Sequence, residues 1–146
     1  MEVFIDADGC PVTKIAIQIA KQYHIPCTVL CDTAHRIEHP DAKTITVSTG
    51  ADSVDFTLVN LIRSGDIVVT QDYGLAAMCL SKKAIPIHQD GMIHTNDNID
   101  SLLFFRAAAK KIRHAGGRLK GPARRTREQD KSFAAALEQL LRETAP

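Results

Sequence analysis

Five aspartates stand where apolar runs of this 146-residue chain give way to turns or helical patterns: Asp6, Asp8, Asp52, Asp55 and Asp72. Asp6 and Asp8 follow the apolar residues 3–5 in VFIDADGCPV and precede the turn-former Gly9. Asp52 and Asp55 open a helical pattern, and Asp72 closes the run IVVTQD. Carboxylates gathered at one place raise each other's pKa, a conflict that a divalent cation removes. A hard, oxygen-only donor set suits Mg2+ or Mn2+. Such an ion activates water and offsets the charge of a phosphodiester under in-line attack. The expected catalytic carboxylates are Asp6, Asp8 and Asp72, and the expected metal ligands are Asp6, Asp52, Asp55 and Asp72. Each has a plainer alternative: Asp6 and Asp8 as turn or cap residues, Asp52 and Asp55 as favourable charges at a helix N-terminus, Asp72 as an N-cap.

The basic residues are distributed as unevenly as the acids. Residues 1–105 carry 7 basic and 13 acidic side chains, and residues 106–127 carry 9 basic and none acidic. The nine are Arg106, Lys110, Lys111, Arg113, Arg118, Lys120, Arg124, Arg125 and Arg127. The formal net charge of +1 therefore hides a strongly positive segment on a mildly negative body. A block of like charge calls for a polyanionic partner, and the expected partner is nucleic acid, RNA in preference to DNA. The alternative is a solvated helix face followed by a flexible loop.

Cys10, Cys27, Cys31 and Cys79 do not follow a zinc-site spacing and are expected to be reduced, small, mostly buried hydrophobes. Cys10 falls just before a helical pattern, a place that lowers a thiol pKa. The six histidines form no metal-binding pattern. No run of 18 apolar residues is present, and the N-terminus lacks the basic and apolar regions of a signal peptide, so a cytoplasmic protein without membrane contact is expected. The sequence sets no oligomeric state.

These side chains need a frame that brings distant aspartates together. Residues 3–5, 27–30, 44–47, 67–69 and 84–88 read as short strands. Between them, helical spacing over residues 11–23, from Gly50 through Val54, Leu58, Leu61 and Ile62, and over 74–81 predicts helices. Strands alternating with helices imply βαβ units and a mainly parallel sheet, in which strand ends and following helix starts share one edge. Asn98 is expected to cap a long helix carrying Leu102, Leu103, Phe105, Ala109 and Ile112. After the loop RLKGPARRT, a capping box from Thr126 to Gln129 opens a last helix with Phe133, Leu137, Leu140 and Leu141 on one face. The expectation is a single α/β domain over residues 1–146. Its basic helix-loop segment, 98–127, and C-terminal helix, 127–143, pack on the same sheet.

Four stretches together (VFIDADGCPV, VTQDYGLA, NID and R-x11-RLKGPARRT) resemble the bacterial YaiI/YqxD family over essentially the whole chain. That family is grouped with the PIN-like nuclease domains, and VVTQD is similar to their strand-end T-x-D. The resemblance implies a parallel sheet with helices on both sides and an acidic metal site at its C-terminal edge. By position, Asp6 corresponds to the first metal-binding aspartate of PIN domains and Asp72 to the T-x-D aspartate. Asp52 or Asp55 stands for the helix-borne acid, usually glutamate, while Asp8 is typical of the YaiI/YqxD family itself.

Three functions compete on these grounds. The first is a Mg2+/Mn2+-dependent nuclease whose Asp cluster hydrolyses phosphodiesters while the basic segment guides the backbone. The second is a non-catalytic nucleic-acid- or ribosome-associated binding protein. The third is a haloacid-dehalogenase-type phosphohydrolase, because h-h-h-D-x-D after a first strand is also its signature; Asp6 would then be the nucleophile, with Ser48 or Thr49 binding phosphate. The acidic pair expected late in that family is absent, since Asp72 has no neighbouring acid in sequence.

Overall fold

Alternation along the first strand decides the layers. In the computed structural model, which describes residues 1–32, 38–48, 53–116 and 124–144, Val3 and Ile5 face one way and Phe4 the other, and all three are buried. Their strand, β1 (Val3–Asp6), is followed by α1 (Thr13–Gln22), β2 (Cys27–Asp32), β3 (Lys43–Val47), α2 (Ser53–Leu61) and β4 (Ile67–Val69). Then come α3 (Tyr73–Ser81), β5 (Ile85–Ile87), α4 (Asn96–His114) and α5 (Arg127–Thr144). The five strands form one sheet in the order β3-β2-β1-β4-β5, and every pairing is parallel.

A parallel sheet is buried on both faces, so its strands read as continuous apolar runs. Val3, Ile5, Val29, Ile67 and Val69 pack under α1 and α5, whose Ala16, Ile17, Phe133 and Leu137 complete that core. Phe4, Leu30 and Val68 pack under α2 and α3, together with Val54, Leu58, Leu75 and Cys79. The last helix matches its expectation residue for residue. Thr126 and Gln129 exchange backbone-to-side-chain hydrogen bonds at 2.8 and 3.4 Å, and Phe133, Leu137, Leu140 and Leu141 are buried.

The preceding helix departs from expectation. α4 rests against α3, and among the described residues none of its side chains joins either apolar core of the sheet. Its cap is Thr95, with Asn98 as the third helical residue of a capping box: Asn98 N–H donates to Thr95 Oγ1 and Thr95 N–H to Asn98 Oδ1. Of its apolar residues Ile99 is buried, whereas Phe105 and Ile112 are exposed. Length explains the difference. α3 has 9 residues and α4 has 19, so at about 1.5 Å per residue α4 outruns its support by about 15 Å. Leu61, expected in the α2 core face, is also exposed at the helix end. No helix among the described residues is long and apolar enough to cross a membrane.

The turn after β5 is seated directly on α5. Gly91 has φ +94°, and a Cβ placed there would lie 2.6 Å from the Ser132 carbonyl oxygen. Gly91→Ala is therefore expected to cost about 2–4 kcal/mol, combining left-handed strain with a backbone clash. Urea denaturation checks this, and an unchanged midpoint would contradict the seating of the turn.

Candidate functional site at the carboxyl edge of the sheet

The strand order reverses at β1: the chain moves outward to β2 and β3, then returns to place β4 and β5 on the other side. In open α/β sheets the crevice at such a reversal, beyond the carboxyl ends of the strands, is where ligands bind. Asp6 ends β1, and Thr70, Gln71 and Asp72 follow β4 at that crevice. Thr70, itself buried, donates its hydroxyl to Asp6 Oδ2 at 2.9 Å and accepts the Asp72 backbone N–H at 3.0 Å. Asp72 Oδ1 accepts the Leu75 N–H at 3.1 Å and so caps α3. The helix-cap role of Asp72 is thus real and coexists with its place beside Asp6.

Asp8 is brought in by a turn that the sequence Asp-Gly dictates. Cys10 N–H donates to the Ala7 carbonyl at 3.1 Å, and Gly9 occupies the third position with φ +66°. A Cβ on Gly9 would sit 3.3 Å from the Gln71 side chain, so the two loops at the reversal touch. Neither Asp6 nor Asp8 caps the next helix, because α1 starts from Val12 without a side-chain cap.

Burial raises the Asp6 carboxyl to a pKa of about 6, the Thr70 hydrogen bond opposes that rise, and the charges of Asp72 and Asp8 add to it. The charges of both other expected catalytic carboxylates therefore reach Asp6. Asp55 lies in the first turn of α2, and its charge, like that of Asp6, reaches the buried Cys79. Asp52 lies outside the described residues, as does Thr49; Ser48 is exposed just past β3. Among the described residues no group of three Asp, Glu, His or Cys side chains is arranged to hold a metal ion. The oxygen-only donors and the mutual charge of Asp6, Asp8 and Asp72 nevertheless fit Mg2+ or Mn2+. These ions keep several waters and bind through one or two carboxylates.

The basic residues divide into distinct groups. Lys110, Lys111 and Arg113 are exposed on the far half of α4, and Arg124 and Arg127 are exposed near the start of α5. Arg106 belongs to α4 by backbone, and Arg118 and Lys120 lie outside the described residues. Arg125 is a clamp. Its Nε donates to Asp130 Oδ1 at 2.7 Å, Nη1 to Asp90 Oδ1 at 2.9 Å and Nη2 to the Gln89 carbonyl at 2.7 Å. It thereby ties the start of α5 to the loop after β5, and its charge reaches Cys10.

Four features of this edge escaped the sequence. Thr70 was legible only as the T of T-x-D. The Arg125 clamp carried no signal, because its partners Asp90 and Asp130 lie 35 and 5 residues away. Cys10 has its pKa raised, not lowered: burial outweighs the hydrogen bonds to it, and α1 begins only at Thr13. Cys27 and Cys79 are pushed up to about 12 by burial, as inert buried thiols should be. The fourth feature is a ring cluster in which Tyr73, His88 and His94 lie with centroids 5.5 to 6.1 Å apart. His88 Nδ1 accepts the Asp90 N–H, so its proton sits on Nε2, and the 3.5 Å approach of the Asp90 carboxylate is no ion pair. His94 is 1% exposed, and neither ring nitrogen has a hydrogen-bond partner among the described residues.

A sequence profile described as "Uncharacterized BCR, YaiI/YqxD family" matches residues 4–143. The chain belongs to the YaiI/YqxD family. Among similar proteins, one from Exiguobacterium sibiricum is 50% identical over 98% of both chains. One from Clostridium acetobutylicum is 48% identical over 97% of both. One from Ruminiclostridium cellulolyticum is 47% identical over 94% of this chain and 90% of its own. All three are named as UPF0178 proteins. No solved structure matches the chain. The YaiI/YqxD match spans both the acidic edge and the basic segment.

Two stability predictions follow from the titrating groups. Asp6 has a folded pKa of about 6 against 3.8 for the free side chain. Its contribution is fully present below pH 3.8 and is lost as pH rises through 6. Asp6→Asn is therefore expected to be more stable than the wild type at pH 7.5, by about 1–3 kcal/mol, with the difference gone near pH 3.5. Denaturant unfolding at the two pH values measures it; equal stability at pH 7.5 would contradict the crowding. His94 runs the other way. Burial first, and then the nearby His88, lower its pKa from 6.5 to about 4, so its contribution is intact above pH 6.5 and lost as pH falls towards 4. His94→Phe is expected to gain on the wild type between pH 7 and pH 4.5 in melting temperature, and a constant difference would refute the assignment.

Proposed function

We propose that this protein is a PIN-like, Mg2+/Mn2+-dependent nuclease that hydrolyses phosphodiester bonds in RNA. The reading rests on one observation above others: Asp6, Asp8 and Asp72 stand past two strand ends at the reversal of a parallel sheet, where the charges of Asp72 and Asp8 reach the buried Asp6. The five-stranded parallel sheet and its acidic carboxyl edge agree with what the PIN resemblance implies.

Asp6 and Asp72 would hold the cation, with Asp8 and either Asp52 or Asp55 completing the site or orienting water. A bound ion would supply a water of lowered pKa and neutralise charge gathering on the phosphate. The chain itself supplies position. Thr70 fixes Oδ2 of Asp6, and the N-cap bond fixes Oδ1 of Asp72, so two side chains with several rotamers are each held in one. An uncompensated Asp6 takes up a proton near pH 6, so cation binding should weaken as pH falls below that value.

The basic segment is rooted at the same edge. α4 begins next to His94, whose ring packs on Tyr73 beside Asp72, and Arg125 is bolted to the loop after β5. A backbone neutralised by Lys110, Lys111, Arg113, Arg124 and Arg127 would thus be led towards the carboxylates, and the salt dependence of binding would count those contacts.

Non-catalytic nucleic-acid or ribosome binding is the second reading, favoured by the exposed Lys110, Lys111 and Arg113 of α4, which can hold a phosphate backbone without any chemistry at the acidic edge. The phosphohydrolase reading is weaker. Ser48 follows β3, and β2 separates β3 from β1, so it lies about 10 Å across the sheet from Asp6.

The deciding experiment measures Mn2+ binding by calorimetry and cleavage of a labelled single-stranded RNA, for the wild type and for Asp6→Asn/Asp72→Asn. The nuclease reading requires metal binding and metal-dependent cleavage that both disappear in the double variant. RNA binding with no cleavage, unchanged or tighter in Asp6→Asn, would establish the binding reading instead. Trapping of beryllofluoride on Asp6 would favour the phosphohydrolase.

A further inference from the structure

The middle of α4 carries two phenyl rings that the fold does not use. Phe104 is 70% exposed and Phe105 is 68% exposed, with ring centroids 6.1 Å apart in an edge-to-face arrangement. Adjacent exposed aromatics of this size mark a contact surface, since neither burial nor solubility accounts for them.

Their surroundings select the partner. Residues 107–109, three and four positions on from the rings and so on their face, are all alanine. Lys110, Lys111 and Arg113 follow, all exposed, and the sequence contains no acid from residue 101 to residue 127. Lys111 is seven residues, or two turns, beyond Phe104 and therefore on the same face, about 10 Å along the axis. An aromatic surface bordered by a clear strip and then by cations matches a nucleotide strand, whose bases stack while its phosphates pair with lysine and arginine. A protein partner with an apolar face would need a rim of acids to match the same cations, and a second copy of this chain brings only Asp97 and Asp100 on its own α4 against the exposed Lys110, Lys111 and Arg113 of each copy. A duplex keeps its base faces covered and can use only the cations.

We propose that Phe104 and Phe105 form a stacking platform for unpaired bases, which makes single-stranded nucleic acid the ligand of the α4 face. This deepens the nucleic-acid reading above and rests on it. The platform lies roughly 13 Å along α4 from Thr95, the end nearest Asp72, so a strand stacked there reaches the acidic edge within a few nucleotides.

The test is fluorescence anisotropy of a labelled 12-nucleotide single-stranded RNA, the same strand with abasic sites, and a hairpin duplex, in a salt series. The proteins are the full-length wild type, Phe104→Ala/Phe105→Ala and Lys110→Ala/Lys111→Ala/Arg113→Ala. Each is checked by circular dichroism and sedimentation. The platform predicts that the wild type prefers the intact single strand over both other ligands. The aromatic variant should lose at least about tenfold in affinity for that strand with an unchanged salt slope. It should bind the abasic strand as the wild type does. The cationic variant should instead show a shallower salt slope on every ligand. If the wild type binds RNA and the aromatic variant binds it equally well, the platform is wrong while nucleic-acid binding stands. If the aromatic variant changes only a dimer into a monomer, the surface joins two copies and the proposal is overturned. If the wild type binds none of the ligands, both the platform and the nucleic-acid reading fall.

Discussion

The hydrogen bond from Thr70 to Asp6 is the constraint on which the carboxyl edge depends. It crosses from the end of β4 to the end of β1, the two strands between which the sheet order reverses. Thr70 also takes the Asp72 N–H, so one buried hydroxyl sets the position of both acids. Without it, repulsion among Asp6, Asp8 and Asp72 would push the loops apart, since each carboxylate gains solvation by moving outward. The arrangement stores electrostatic strain in a place the core holds rigid, which is a common property of sites that bind charged ligands.

The acidic edge and the basic segment are mechanically linked. Arg125 joins the loop after β5 to the start of α5, and Gly91 allows that loop to lie flat on Ser132. The rings of Tyr73, His88 and His94 fill the corner between α3 and the start of α4. Burying neutral His94 with no hydrogen-bond partner among the described residues costs stability, and a purely apolar ring would fill the space at lower cost.

Most of the fold was legible because parallel strands announce themselves as short apolar runs and amphipathic helices by their spacing. The sheet and α5 with its capping box were readable for that reason. α4 was misread because periodicity records which residues share a face, and says nothing about whether a neighbour is long enough to cover it. Phe105 and Ile112 have the spacing of core residues and are exposed because α3 ends first. In the site, Asp6, Asp8 and Asp72 were legible from their positions at strand ends. Thr70 as their organiser and Arg125 as a clamp were not, because both depend on partners far away in sequence. The thiol of Cys10 shows the same limit: sequence placed it near a helix start, whereas burial decided its chemistry.

The order of strands also has a consequence for how the protein is made. β1 is made before the other strands and is the central strand of the sheet, yet its second neighbour, β4, arrives about sixty residues later. The helix that closes the core over Val3 and Ile5 is α5, at the other end of the chain. A growing chain therefore carries β1 with one open edge until β4 has been made, and with a face that α1 covers only in part until α5 follows. Parallel pairings of this kind are slow to form and leave partly folded chains prone to association. The acidic site, built on β1 and β4, can assemble before α5 exists, but its foundation becomes dry only once α5 has been added.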